Sequence, residues 1–377
     1  MTRRYDVIVV GSGPAGATAA FFLGQAGKHV LVLEKENLPR YKTCGGAVSS
    51  KVLQQFPFSF EPVIQSKINA ISYACGEKMV TIPLNNSSLC MVMRDEFDAY
   101  LAKHAQAEIH EGSAVRSVEE SKDSITVETV AGDCFEAEYL VAADGANSIV
   151  ARSLNLRRKK ILAGAIEIEA VVPDKTLACF ANKPMLIFGE VEIGYLWVFP
   201  KSDHLSVGIG GLGPKPGELQ SVLERVMRQL GISIQGQPRT GHPLPIYSRR
   251  EPISTARTLL AGDAAGLVDP FTGEGIRFAI KSGRLAAETI LAGHPEKYAA
   301  LVEQRIGRNH RMGSLLTNLF YSLPRLSFEL ALRNPVLSYG LAKMIDDRIG
   351  YGRLILCIVG TFPLSILTKK IPLEPSS

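Results

Sequence analysis

The 377-residue sequence predicts an α/β chain. A doubly wound, parallel-sheet unit is interleaved with an antiparallel sheet, and a helical region follows at the C-terminus. Three observations carry this reading. The runs "YDVIVV" (5–10) and "HVLVLE" (29–34) are apolar and rich in β-branched residues, as in strands buried on both faces, and small residues separate them. Strand-like runs ending in an acid recur far along the chain, at "LVAADG" (140–145) and "TLLAGD" (258–263). Between those two, residues 161–248 alternate apolar and polar as half-buried strands do ("AIEIEAVV", "PMLIFGEV", "HLSVGIG").

Residues 1–60, 93–160 and 249–295 are therefore assigned to the parallel unit. Residues 61–92 and 161–248 form the antiparallel one. It includes a hairpin at "INAISYACGEKMVTIPL" (68–84) and a helix, "PGELQSVLERVMRQLG", ended by Gly231. Residues 296–377 read as amphipathic helices broken at Pro324, Pro335 and Pro363.

Composition excludes several classes. The net charge is +5, and residues 301–377 hold ten Lys or Arg against five Asp or Glu, which accounts for the whole excess. That is too dilute for a nucleic-acid footprint. It suits either an anionic membrane face, contacted peripherally, or a solvated helical surface. The run Arg157, Arg158, Lys159, Lys160 reads as an exposed turn. Six cysteines are scattered without a C-x-x-C pair, so neither a metal site nor a disulfide scaffold is expected, and a reducing cytoplasm is. The N-terminal apolar run is too short for an export signal. The run 354–367 is too short to span a bilayer and reads as a buried helix, an interfacial segment or a lid.

The first motif is Gly11, Gly13 and Gly16 in G-x-G-x-x-G, directly after a strand and opening a helix. Gly11 allows the tight turn, Gly13 admits a pyrophosphate, and Gly16 permits close helix–sheet packing. The helix start supplies unpaired N–H groups. Glu34, at the end of the second strand, can accept both hydroxyls of an adenosine ribose and repels a 2′-phosphate, so the dinucleotide is FAD or NAD. A second G-x-G-x-x-G, Gly208 to Gly213, meets Pro214 and Pro216 and opens no helix on its third glycine. It is read as a strand end with a turn. Asp144-Gly145 and Gly262-Asp263 end strands at the side where open α/β sheets bind ligands. Asp263 is placed for a ribityl hydroxyl. The N–H groups of Gly275 and Ile276, at a helix start, suit the O2 edge of a flavin.

These three motifs, in this order over residues 5 to 290, resemble the flavoproteins of the p-hydroxybenzoate hydroxylase fold. That resemblance implies a Rossmann-type FAD-binding domain. "PRYKTCGG" (39–46) and "YLWVFPK" (195–201) are similar to two signatures of one branch, the geranylgeranyl reductase family. Flavin halogenases carry W-x-W-x-I-P at the second place, and aromatic hydroxylases lack the Cys-Gly pair. The resemblance implies cofactor contacts at Gly11, Gly13, Ala15, Gly16, Glu34 and Lys35, and at Cys44, Gly45, Arg94 and Val115. It extends them to Asp144, Gly145, Asp263, Gly275 and Ile276. For Arg94 the competing reading is a helix-start salt bridge with Asp98.

The same resemblance implies hydrogenation of isolated prenyl double bonds, with NAD(P)H or another reductant such as a ferredoxin as donor. The catalytic candidates are Cys44, Tyr195 and Trp197. Strand alternation puts Tyr195, Trp197 and Phe199 on one face, which suits a dry substrate wall or an ordinary sheet core. Arg40 and Lys42 precede Cys44 in sequence, as cations that would favour its thiolate. The C-terminal helices would cap a tunnel for a lipid tail in a monomer. Two other readings stay open. One is a flavin monooxygenase of an apolar or aromatic substrate. The other is a flavoprotein that binds prenyl lipid or quinone without hydrogenating it.

Overall fold

The structure, a computed structural model, describes residues 3–84, 88–248, 250–334, 337–345 and 347–367. Two compact units share the chain. The first comprises Met1–Lys42, Arg94–Ile161 and Leu244–Arg311, and the second Thr43–Met93, Leu162–Pro243 and Met312–Ser377.

In the first unit, "YDVIVV" lies in the strand Arg3–Val10, flanked by parallel strands Val30–Leu33 and Cys134–Ala142. Seven strands form the sheet. Glu108–His110 extends one side, an antiparallel hairpin of Ile125–Thr129 and Val115–Glu120 the other, and Thr258–Leu260 pairs parallel to Cys134–Ala142. Val7, Ile8 and Val9 are fully buried, as continuous apolar strands must be. Each such side chain contributes about 1.5–3 kcal/mol of burial. The helices Pro14–Gln25 and Ile276–Leu291 pack closely because Gly283 has no side chain; a Cβ there would collide with the backbone of Ala15.

The second unit is built on a seven-stranded sheet ordered Thr240–Ile246, Ile161–Ala170, Leu205–Leu212, Ile193–Pro200, Met185–Phe188, Ala70–Cys75, Lys78–Pro83. The last two strands are the hairpin expected at 68–84. Helix Pro216–Gln229 covers one face, burying Leu219, Leu223, Val226 and Met227 against Leu196, Val198, Val207 and Ile209. A small sheet of Ala47–Ser49, Leu89–Val92 and Ile64–Ile68 stands beside it.

Four helices end the described chain: Arg308–Ser322, Pro324–Arg333, Leu337–Ile345 and Tyr351–Leu367. Pro324 opens a helix as expected, and Pro335 lies outside the described residues. Pro363 does not break its helix, which continues to Leu367. A proline removes one N–H, here the bond to the Val359 carbonyl, and that loss alone does not stop the helix. No helix among the described residues is long and apolar enough to cross a membrane.

The basic run 157–160 departs from the sequence reading. Arg157 is buried, and its guanidinium donates to the Asp263 carbonyl at 3.1 Å. Lys160 donates to the Ala146 carbonyl at 3.1 Å. A run of cations reads locally as a solvated turn; two of them are instead taken up by backbone acceptors distant in sequence.

Candidate active site

In the first unit the glycine turn follows the strand directly. Gly11 has φ +93°, and a side chain there would strike the Ala143 backbone, so the turn demands glycine. Helix Pro14–Gln25 starts at Gly13 with no side-chain cap and no acid in its first turn. Its first N–H groups thus meet no side-chain anion of the helix's own first turn. Glu34 is buried. Its Oε2 accepts from the Ser12 N–H at 2.8 Å and the Ser12 hydroxyl at 2.6 Å, which aims Oε1 the other way. Lys35 instead points outward and pairs with Glu36 at 3.6 Å.

Arg40 completes this turn. It lies 3.7 Å from Glu34 Oε1 and 3.2 Å from Asp98 Oδ2, and a Cβ on Gly13 would be 3.5 Å from its guanidinium. Arg94 makes a bidentate pair with Asp98 at 2.8 and 2.7 Å, both side chains being buried. The helix-start salt bridge is therefore present, and Arg40 is the cation against the glycine turn. An uncapped helix start, a glycine opening and a cation at one place fit the pyrophosphate of a dinucleotide.

The two acidic loops differ. Asp144 caps helix Ile149–Ser153, its Oδ2 accepting from the N–H groups of Ile149 and Val150 at 2.8 and 3.2 Å, while its buried Oδ1 has no hydrogen-bond partner. Burial raises its pKa, against those hydrogen bonds. Gly145, next to it, takes φ +79°. Asp263 stays near the start of helix Ile276–Leu291, with its Oδ1 3.7 Å from where a Gly275 side chain would begin. Its Oδ2 is 3.3 Å from Lys42 Nζ. The two basic residues before Cys44 are thus drawn to carboxylates of the first unit. Val115 begins a strand and is nearly buried in the sheet core.

In the second unit the two segments singled out by the sequence meet. Tyr195, Trp197 and Phe199 do share one face, with successive ring centroids 6.4 Å apart. The Cys44-Gly45-Gly46 loop lies on that face. A Cβ on Gly45 would sit 2.8 Å from the Phe199 ring and 3.1 Å from Trp197 Nε1. Lys201, the last residue of "YLWVFPK", is buried and donates to the carbonyls of Gly45 and Val92, each at 2.8 Å. Gly46 turns the chain at φ +71° over the Val92 carbonyl. Cys44 is half-buried with a free thiol. Phe188 continues the aromatic surface to Tyr195, Phe320 and Tyr321, with centroids 5.4–6.4 Å apart.

The second glycine motif now has a role. Trp197 pairs in register with Gly208, and a side chain at Gly208 would be driven into the indole. The glycines of Leu205–Leu212 give the indole its bed, and the strand ends in a turn at Gly213 (φ +94°). Two residues were missed as site candidates: Arg40 and Lys201. Lys201 was visible within a quoted motif but had no assigned task.

The glycine turn, the buried Glu34 and the Asp263 loop at a helix start define an FAD-binding flavoprotein. Residues 4–188 match the FAD binding domain family. A geranylgeranyl diphosphate reductase of Rhodobacter capsulatus is 30% identical, covering 77% of this chain and 75% of its own length. The chloroplastic enzyme of that name from Oryza sativa subsp. japonica is 31% identical, covering 77% and 67%. Among solved structures, a geranylgeranyl bacteriochlorophyll reductase-like protein from Thermoplasma acidophilum superposes with TM-score 0.81 at 23% identity, over 97% of this chain and 98% of that one. The chain belongs to the geranylgeranyl reductase family of FAD-dependent oxidoreductases.

Proposed function

We propose that this protein hydrogenates isolated C=C bonds of a prenyl chain carried by an isoprenoid, a prenyl lipid, a chlorophyll or a quinone. The observation that carries the reading is the seating of the Cys44-Gly45-Gly46 loop on Trp197 and Phe199, fastened by Lys201. Bound FAD, once reduced, supplies hydride for one alkene carbon. The chain's own residues do the rest. Gly11, Gly13, Arg40 and Glu34 would hold the ADP half. Asp263 and the N–H groups of Gly275 and Ile276 would receive the flavin half. Tyr195, Trp197 and Phe199, continued by Phe188 and Phe320, would hold the apolar chain and exclude water. Cys44 would give a proton to the second alkene carbon.

A lipid substrate also accounts for the outer surface of the C-terminal helices. Leu315, Leu319, Leu323 and Leu326 are 51–67% exposed, and Leu356 and Val359 are 72% and 65% exposed. Exposed Arg325 and Arg353 accompany them. We assign this surface to peripheral contact with an anionic bilayer.

Anaerobic incubation of dithionite-reduced enzyme with geranylgeranyl diphosphate, read by mass spectrometry, tests the function. The expected product gains two hydrogens per reduced bond. Oxygen incorporation under air would replace the proposal with a monooxygenase, and no product would replace it with a carrier. Cys44→Ala and Cys44→Ser should each abolish most reduction while retaining FAD.

A further inference from the structure

The face that carries the aromatic wall also carries an acid that no step above uses. Register places Glu167 opposite Gly208, and Gly208 opposite Trp197. Directly paired residues share a face, so Glu167 and Trp197 lie in one row with only a glycine between them. The next row is Glu169, Ser206 and Phe199. Glu167 is fully buried, and the Ser206 hydroxyl donates to its Oε1 at 2.5 Å. The Cys44 backbone N–H is among the groups that favour the charged form of this carboxyl.

Two unsatisfied atoms mark this spot. Glu167 Oε2 and Trp197 Nε1 are both buried and lack a hydrogen-bond partner. One is an acceptor and the other a donor, set in the same row beneath the same loop. Such a pair is what an ordered water needs. The neighbouring row, which carries Glu169, leads outward. His204 contacts Glu169 Oε2 through Nε2 at 3.0 Å and Asp203 Oδ1 through Nδ1 at 2.6 Å. Asp203 is 81% exposed.

We propose that Glu167 is the proton reserve of the cysteine loop, refilled from solvent through Glu169 and His204. The inference rests on the reductase reading above. The step balances. Cys44 gives its thiol proton to the alkene carbon and becomes a thiolate. The carboxylic acid of Glu167 then gives its proton to that thiolate, through one water, and becomes a carboxylate. Bulk water restores the proton along His204 and Glu169. Glu167 thus acts through Cys44, as a positioning residue for a proton.

The groups facing Glu167 agree with this role. Burial is the largest influence and raises its pKa to about 7, helped by the like charge of Glu169 and opposed by Ser206, Lys201 and the Cys44 N–H. The carboxyl is therefore part-protonated at neutral pH. On His204, burial works against protonation, but the hydrogen bonds with Glu169 and Asp203 win and raise its pKa.

The test compares FAD-loaded wild type, Glu167→Gln and Glu167→Asp. The first readout is the alkylation rate of Cys44 by iodoacetamide between pH 6 and 9, measured on its own peptide by mass spectrometry. Removing the carboxylate beside the loop in Glu167→Gln should change the rate at pH 8 about fivefold, while Glu167→Asp keeps the wild-type profile. The second readout is turnover, expected to fall at least tenfold in kcat for Glu167→Gln at unchanged KM and FAD content, with recovery in Glu167→Asp. Identical Cys44 profiles in all three proteins overturn the proposal. So does a kcat of Glu167→Gln equal to wild type. The alkylation profile needs no alkene, so it decides this inference even where the wild type reduces none.

Discussion

Glu167 carries a stability cost whose sign and size follow from its surroundings. Its carboxyl is taken from an ordinary 4.5 to about 7 in the folded protein, chiefly by burial. A raised folded pKa means that folding binds a proton. The favourable contribution is whole below pH 4.5 and is lost as pH rises through 7. Each pKa unit is worth about 1.4 kcal/mol, so at pH 8 the ionised group costs roughly 3 kcal/mol relative to an acid of ordinary pKa. Glu167→Gln keeps the shape and the Ser206 acceptor but cannot ionise. Its stability relative to wild type should therefore grow between pH 5 and pH 8. For a chain of this length, about 1 kcal/mol corresponds to roughly 1–1.5 °C in Tm, and part of the cost is already present at pH 5, so the growth is about 2.5–4 °C. Differential scanning fluorimetry across that range, on both proteins in matched buffers, reads it. A Tm difference that stays flat from pH 5 to pH 8 would falsify the buried, proton-holding state.

Three further outcomes are expected. Gly45→Ala places a methyl 2.8–2.9 Å from the Phe199 ring, so the loop must lift, at a strain of about 1–3 kcal/mol. FAD content should hold while kcat drops about tenfold or more, and full turnover in this variant would show that loop seating is irrelevant. Arg40→Ala removes the cation beside the Gly13 turn and should weaken FAD binding about tenfold, read by fluorescence titration of the apoprotein; unchanged affinity would remove Arg40 from the cofactor site. Leu319→Asp with Leu356→Asp should abolish flotation with phosphatidylglycerol vesicles, whereas phosphatidylcholine vesicles should not float even the wild type at physiological salt. Equal binding to both lipids would refute the charge argument, and loss of a dimer in light scattering would reassign the surface to a second copy.

The parts legible in the sequence are those whose causes are contiguous. Strand, glycine turn, helix and Glu34 lie within one stretch of 34 residues, and each constrains the next. The Tyr195–Trp197–Phe199 face followed from strand period alone. Arg157 failed that test because its burial is decided by the Asp263 loop, 106 residues away. Arg40 was read toward Cys44, its sequence neighbour, but the carboxylates of Glu34 and Asp98 hold it. The "AIEIEAVV" strand was recognised, yet alternation gives a period and not the cover on each face. Helix Pro216–Gln229 packs under Leu196 and Val198, leaving the glutamates on the aromatic side, and only the register of three strands reveals that.

That register explains why an acid sits where an apolar wall is expected. An unactivated alkene needs a proton at one carbon, and a wall that excludes water also excludes the usual proton source. In the proposed reaction the stock is therefore built into the wall. A carboxyl on the aromatic strand itself would break the apolar surface, and one across the sheet would be out of reach. Two strands away, with a glycine strand between, both demands are met: Gly208 lets the indole of Trp197 lie flat, and it leaves Glu167 open beneath the Cys44 loop. The burial that dries the surface is also what raises the pKa of Glu167 toward neutrality. Under the proposed mechanism dryness and proton supply thus have one physical cause, and a side chain at position 208 should damage both. Gly208→Ala is therefore expected to displace the indole, read as a shift in the fluorescence of the sole tryptophan, and to change the pH profile of Cys44 alkylation together with it. A tryptophan shift with an unaltered Cys44 profile would separate the two and sink the link.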